Sequence, residues 1–402
     1  MNIFLFLRQN ILWLGTGVVL TFLSSFGQTF FISVFAGEIR QNFGLSHGEW
    51  GGIYTLGTSV SALAMVWAGG LTDRLRVRVL GPVVIFGLAA ACIAMAVNSS
   101  VWLLPVIILA LRFFGQGMTS HIAVVAMSRW FVSTRGKALS IATLGFSLGE
   151  ATLPILFVAL MGFWAWQNLW FLAAIVCLTG IPVLLFALRH ERTPQSMAAS
   201  ETSTGMQGRH WTRNQTLKHP LFWFMIPALL GPAAFNTAFF FHQVHFAEIK
   251  GLAHVSLVSF FPFYTAMSIA AMVASGWALD RFGTARTIPY FLLPMIGAFV
   301  SFSLAYDPVV MFAGFFFLAM TTGSNATLPN AFWAEFYGTA NIGSIKALAA
   351  AVMVLGSAIG PGVTGLLIDL GVGLEQQFVA IAGYFALATV MMRAGIARAL
   401  RS

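Results

Sequence analysis

The chain alternates long apolar runs with short polar breaks. Twelve of the runs come close to the roughly 20 residues a helix needs to cross about 30 Å of hydrocarbon. They cover 11–36, 50–71, 79–98, 101–128, 137–162, 167–188, 221–247, 255–279, 287–306, 308–332, 345–368 and 375–397. Unpaired backbone groups are costly in lipid, and the runs are too long for barrel strands, so each is predicted to be a helix.

The polar breaks carry the second pattern. GGLTDRLRVR, from Gly69 to Arg78, joins the second run to the third, and GWALDRFGTAR, from Gly276 to Arg286, joins the eighth to the ninth. They begin 207 positions apart. Other features repeat at nearly the same offset. FGQTFF from Phe26 matches FNTAFF from Phe235, and Glu38-Ile39-Arg40 matches Glu248-Ile249-Lys250. Lys137-Ala-Leu matches Lys346-Ala-Leu, and the pair Gly145 and Gly149 matches Gly356 and Gly360, the latter followed by Pro361. The chain therefore reads as two related halves with six spans in each. The expected fold is an all-α integral membrane protein of twelve transmembrane helices, built as two pseudo-symmetric six-helix bundles. Residues 1–188 form the first bundle, 189–219 a polar linker and 220–402 the second bundle. The linker has no apolar periodicity, so a flexible tether is expected there.

Charge sets the orientation. Of the 21 Lys and Arg residues, 18 fall in the loops and termini on the hairpin side, which places that side and both termini in the cytoplasm. Only Arg40 and Lys250 lie opposite, and Arg112 lies within a span. The +9 net charge is spread over short loops, not gathered in a patch, which argues against nucleic acid. Composition agrees with a membrane chain: 58% of residues are hydrophobic and 8% charged, against about a quarter charged in soluble domains. Cys92 and Cys177 both sit in apolar runs and read as small buried hydrophobes. No metal cluster, cofactor motif or nucleophile–base spacing is evident, and the phosphate loop of ATP-driven transport is absent, so neither an enzyme nor an ATP-driven pump is expected.

At this point the chain resembles the major facilitator superfamily of secondary transporters. Gly69, Asp73, Arg74 and Arg78 are similar to that family's signature between its second and third spans. Arg76 stands where the signature has a second glycine, a position that Gly283 keeps in the other half. Arg112-Phe-Phe-Gly115-Gln116-Gly117 resembles the fourth-span motif. Arg129-Trp-Phe, Arg135-Gly-Lys-Ala-Leu, Gly145, Gly149 and Pro154 are similar to bacterial members of the monocarboxylate and oxalate–formate type. The resemblance implies alternating access, with a small-molecule site between the halves near mid-membrane. A monomer embedded in lipid in a bacterial inner membrane is expected.

The residues themselves name candidates. Ionisable groups inside spans are expensive and mark function by default. Arg112 and Glu150 lie at nearly the same depth on neighbouring spans, where they could pair, either to brace the first bundle or to exchange partners with a proton or an anionic solute. Gln28, Thr29, Gln116 and Asn236 offer hydrogen bonds, Asn325 fits core packing better than a lining role, and His242 is a candidate for proton coupling, with a headgroup contact at the outer end as the alternative. His121 reads mainly as core packing and His245 as a headgroup contact. Phe30, Phe31 and Phe239–Phe241 fit an apolar cavity wall or a lipid-facing surface equally. In the hairpins, Gly69, Asp73, Arg74, Gly276, Asp280 and Arg281 are expected to stabilise the state closed to the cytoplasm, because an Asp can sit against a neighbouring helix N-terminus. The expected function is proton-coupled secondary transport of a small organic solute, a carboxylate being favoured by Arg112. The alternative left open is an efflux antiporter for apolar or aromatic compounds.

Overall fold

The computed structural model describes residues 3–131, 134–189, 204–338 and 340–401. The side chains of residues 3–5, 73, 74, 135, 136, 343 and 344 lie outside that description. Among the described residues no strand occurs, and eleven helices are long and apolar enough to cross a membrane. With the second expected span they form a series of twelve, named here in chain order. In the first half these are α1 (Phe6–Gly27), α2 (His47–Ala68), α3 (Val77–Val97), α4 (Val101–Trp130), α5 (Lys137–Met161) and α6 (Trp166–Ala187). In the second they are α7 (Pro220–Phe241), α8 (His254–Phe282), α9 (Thr284–Leu304), α10 (Pro308–Tyr337), α11 (Ile345–Asp369) and α12 (Leu374–Ala399). α2 is the least apolar because Gly, Ser and Thr dilute it, and it starts at a capping box in which Ser46 and Glu49 satisfy each other's backbone N–H. α10 starts on Asp307, whose carboxylate accepts from Val309 and Val310 N at 2.8 and 3.1 Å.

The helices divide into two compact units: Met1–Ser200 with Phe240–His245, and Glu201–Phe239 with Phe246–Ser402. Each is held by the same device. In the first unit α5 closes on α1 through its glycines: a Cβ on Gly145 would lie 2.0 Å from Val18 O, and one on Gly149 2.1 Å from Ser25 Oγ. Thr21 Oγ1 donates to Ala142 O across the same seam. In the second unit Gly356 and Gly360 bring α11 against α7, with a Cβ at Gly360 only 2.3 Å from Ala234 O. Small residues thus replace the hydrophobic drive that lipid removes between membrane helices. The phenylalanines that sequence left between cavity wall and lipid face are core. Phe31 packs on Phe26, Phe157 and Trp170, and Phe239 stacks on Phe302 at 4.3 Å beside Phe246, Phe315 and Phe378.

Three segments depart from plain helices. α1 breaks at a 3-10 turn, Ser25–Gly27, after which Gln28 is extended (φ −86°, ψ 154°). α4 carries a π-helical stretch, Arg112–Thr119. α10 is interrupted at Ala326–Thr327, just before Leu328-Pro329 restarts it.

The expected flexible tether needs correction over its second part. Residues 204–219 are folded onto the second unit. Thr212 and Gln215 form a capping box that starts the short helix Arg213–Lys218. Trp211 N donates to Tyr337 O at 3.1 Å, and Asn341 Nδ2 donates to Trp211 O at 3.1 Å. The Trp211 ring packs edge-on against His219 and Tyr337. Gly205 lies so close to the Tyr337–Gly338 backbone that a Cβ would meet Gly338 N at 2.5 Å. This strap binds the junction between α10 and α11.

Candidate functional site

The two irregular segments of the first unit meet each other, and their glycines explain why. A Cβ on Gly27 would lie 2.1 Å from Leu111 O, and one on Gly115 2.6 Å from Gly27 Cα. Only glycine on both sides lets the broken α1 lie against the π-turn of α4. The break frees a backbone carbonyl, and the π-turn swings a side chain towards it. Arg112 Nη1 donates to Gly27 O at 3.1 Å and to Thr29 Oγ1 at 3.3 Å. Thr29 and Tyr54 of α2 share a hydrogen bond between hydroxyls. The guanidinium carbon stands 5.4 Å from the centre of the Tyr54 ring. Broken helices and π-turns inside membrane proteins are tolerated where neighbours re-satisfy the backbone, and they cluster at functional sites.

Arg112 is 2% exposed, and its Nε has no hydrogen-bond partner among the described residues. Its hydrogen bonds there run to a carbonyl and a hydroxyl, both neutral. The charge therefore sits in a low-dielectric interior without a carboxylate bonded to it. Burying a charge is costly unless it is paired, so this arrangement needs a reason beyond stability.

A row of aromatic residues runs from that guanidinium. Tyr54 packs on Phe241 with centroids 4.6 Å apart, and Phe241 stacks on Trp50 at 5.6 Å and 21°. Trp50 and Tyr54 are one α-helical turn apart on α2, and Thr58 and Ser61 continue the same buried face. Trp50 is 1% exposed and its indole N–H has no acceptor among the described residues. Sequence reasoning passed over Trp50 and Tyr54. The signal available was their i, i+4 spacing on the one run diluted by Gly, Ser and Thr. Past Phe241, the His242 side chain is buried, with its ring 5.9 Å from His47, and His47 lies 4.1 Å from His245. His245 thus touches another imidazole where sequence suggested headgroups. Gln243 Nε2 donates to Ser33 Oγ at 2.6 Å and to Phe30 O at 3.2 Å.

The other expected site residues are dispersed. Gln28 is buried at the α1 break, and Gln116 is exposed on the π-turn. Glu150 is half-buried on α5 and has a polar contact of its own, whereas the described bonds of Arg112 run to α1. His121 lies beside the first hairpin, its Nε2 3.5 Å from Thr72 Oγ1. In the second unit Asn236 is half-buried with no partner for Oδ1 among the described residues, and Asn325 ends the first part of α10.

The hairpins are built differently from each other. In the first, Thr72 Oγ1 donates to Gly69 O at 2.7 Å and Arg129 Nη1 of α4 donates to Thr72 O at 2.6 Å. The Asp73 and Arg74 side chains lie outside the described set. In the second, Gly276 faces open space, Asp280 is exposed, and the Arg281 guanidinium lies near the Trp277 and Phe282 rings. Gly283 turns with φ +78°, whereas Arg76 at the equivalent place is ordinarily extended (φ −71°, ψ 146°). The first hairpin therefore dispenses with the left-handed turn that Gly283 supplies in the second.

One further cluster escaped the sequence. Lys250, buried beyond α7, donates from Nζ to Ser303 O at 2.8 Å and pairs with Glu375 at 2.5 Å. Its ammonium lies 4.0 Å from the Tyr306 ring centre, and Tyr306 Oη donates to the same carboxylate at 2.6 Å. That hydrogen bond raises the Tyr306 pKa. The pair ties α9 to the start of α12.

Comparison with known proteins follows from this geometry. A search of curated protein sequences finds no match. Among solved structures, the chain is similar to a bacterial homolog of the human lysosomal transporter Spinster, in an inward-facing and unoccupied conformation. The TM-score is 0.75 at 15% identity, covering 97% of each chain. It is also similar to the nucleoside transporter NupG, with a TM-score of 0.71 at 13% identity over 95% of this chain and 98% of that one. Both likenesses concern the fold. The family model described as Major Facilitator Superfamily matches residues 17–361. With its repeated hairpins and membrane-spanning helices, the chain belongs to the major facilitator superfamily and is a multi-pass membrane transporter, not an enzyme.

Proposed function

We propose that this transporter carries small organic anions by alternating access, coupled to protons, with Arg112 as the anion anchor. The observation that carries the reading is the buried guanidinium whose described hydrogen bonds go only to neutral groups. A carboxylate arriving there would supply the missing charge, and charge-assisted hydrogen bonds of this kind are about twice as strong as neutral ones. Glu150 and His242 are the groups proposed to carry the coupled proton, and Gln28, Gln116, Asn236 and Asn325 to complete the polar lining. The hairpin residues Gly69, Asp73, Arg74, Gly276, Asp280 and Arg281 are proposed to stabilise the form closed on their side. The 18 basic residues on that side favour a cytoplasmic placement for it and for both termini, in a bacterial inner membrane. The carrier is proposed to act as a monomer.

The test is proton movement in vesicles holding the purified protein and a pH-sensitive dye, read against protein-free vesicles. Small carboxylates should drive proton flux and the corresponding amides should not, and Arg112→Met should lower the flux at least tenfold. Equal flux with neutral or apolar solutes would sink the anion reading in favour of apolar efflux.

A further inference from the structure

We infer that the preferred solute is an aromatic monocarboxylate bearing a second hydrogen-bond acceptor. This rests on the anion reading above and narrows it. The site offers two buried donors without partners among the described residues, Arg112 Nε and Trp50 Nε1, on residues 2% and 1% exposed. Aromatic contacts link the two residues: Tyr54 lies 5.4 Å from the guanidinium carbon, Phe241 4.6 Å from Tyr54, and Trp50 5.6 Å from Phe241. A buried donor left without an acceptor costs about 1–3 kcal/mol. The arrangement therefore asks its ligand for two acceptors and a flat apolar body.

The donors differ in what they select. The guanidinium is always charged and favours a carboxylate over any neutral acceptor. The indole N–H is neutral and takes a single ether, carbonyl or hydroxyl oxygen. Aromatic rings prefer stacked or edge-to-face neighbours, so a ring beside Phe241 is favoured beyond its apolar area. An aliphatic acid such as acetate satisfies only the guanidinium. A neutral aromatic satisfies only the rings and the indole.

The experiment is equilibrium binding to the purified full-length protein by calorimetry, with four ligands. They are 4-methoxybenzoate, its acceptor-free isostere 4-ethylbenzoate, the neutral 4-methoxybenzamide, and acetate. In the wild type 4-methoxybenzoate should bind about threefold to tenfold tighter than 4-ethylbenzoate, the worth of one neutral hydrogen bond. The amide should be at least about tenfold weaker, since a bond to a charged donor is lost, and acetate weaker still than either benzoate. In Trp50→Phe the ring stack is kept and the N–H removed, so the methoxy-to-ethyl ratio should fall to one while 4-ethylbenzoate affinity holds. Acetate binding as tightly as the benzoates overturns the aromatic inference and leaves the anion reading standing. The amide matching its carboxylate overturns both. No binding by either benzoate overturns the inference. Equal losses for both benzoates in Trp50→Phe make Trp50 a packing residue and remove the second acceptor from the proposal.

Discussion

Replacing Arg112 by Met should abolish anion transport while hardly changing stability, and the magnitude can be worked from its contacts. Holding an ion in the interior costs several kcal/mol even after relaxation. Against that stand two hydrogen bonds from a charged donor, at 3.1 and 3.3 Å. These lengths are at the long end, so the bonds contribute about 1.5 kcal/mol each. The Tyr54 ring at 5.4 Å adds on the order of 1 kcal/mol. The terms nearly cancel, so the apolar methionine should leave the protein within about 1 kcal/mol of wild type. Glu375→Gln is the contrast, because it strips the counter-charge from Lys250. Breaking a fully buried pair costs about 3–5 kcal/mol. The Glu375 side chain is 38% exposed while that of Lys250 is fully buried, so about 2–3 kcal/mol is expected once solvent screening is allowed for. Each unit has about 200 residues. For that size about 2–4 °C of melting temperature corresponds to each kcal/mol. Thermal unfolding in detergent followed by intrinsic fluorescence should therefore show Arg112→Met within a few degrees of wild type and Glu375→Gln well below both. If Arg112→Met melts as low as Glu375→Gln, the arginine is a structural pillar and the anion-anchor argument collapses.

Three further outcomes follow from geometry. Gly115→Ala places a Cβ 2.6 Å from Gly27 Cα and 2.8 Å from Gly27 N, backbone atoms that cannot swing aside; it should destabilise by about 3 kcal/mol or more and weaken anion binding, and unchanged melting would refute the glycine contact. Gly283→Ala forces a side chain into φ +78° and should cost about 1–2 kcal/mol, whereas Arg76→Ala should be neutral in the same thermal assay. The His219 imidazole is held below its ordinary pKa by burial, so the unfolded strap takes up a proton first. Its contribution is complete above the usual imidazole range and lost as pH falls through that range, so limited proteolysis at Arg209 and Lys218 should accelerate from pH 7.5 to pH 5.5 in the wild type but not in His219→Gln; equal acceleration in both would remove His219 from the strap.

What the sequence made legible was whatever a local pattern encodes. The apolar runs specify helices, because span length is a one-dimensional constraint; the charge bias of the loops carries the orientation as a proposal. The departures from ideal helices were not legible. α1 breaks at Gly27 because Gly115 arrives from α4, a contact 88 positions away in the chain. The π-turn shifts helical phase by about one residue within a 30-residue segment, too little to show against the apolar background. Arg112 was visible as a costly charge, but its partners were not, since Gly27 O becomes available only once α1 is broken. Lys250 and Glu375 lie 125 positions apart and carry no local sign of each other. The strap did leave a local sign, Thr212-Arg-Asn-Gln215, which is a capping box in a segment judged by its missing apolar periodicity alone.

The unequal hairpin turns bear on how such chains are recognised. Position 283 admits glycine alone without strain, while the extended backbone at position 76 accepts nearly any residue. The two copies of one inherited turn thus tolerate different spectra of substitution. A search keyed to the glycine would find the second hairpin and overlook the first, although both join equivalent helices. In this chain the Asp-Arg pair and its distance from the preceding glycine are what the two hairpins share, and the turn between them and the next span is where they differ.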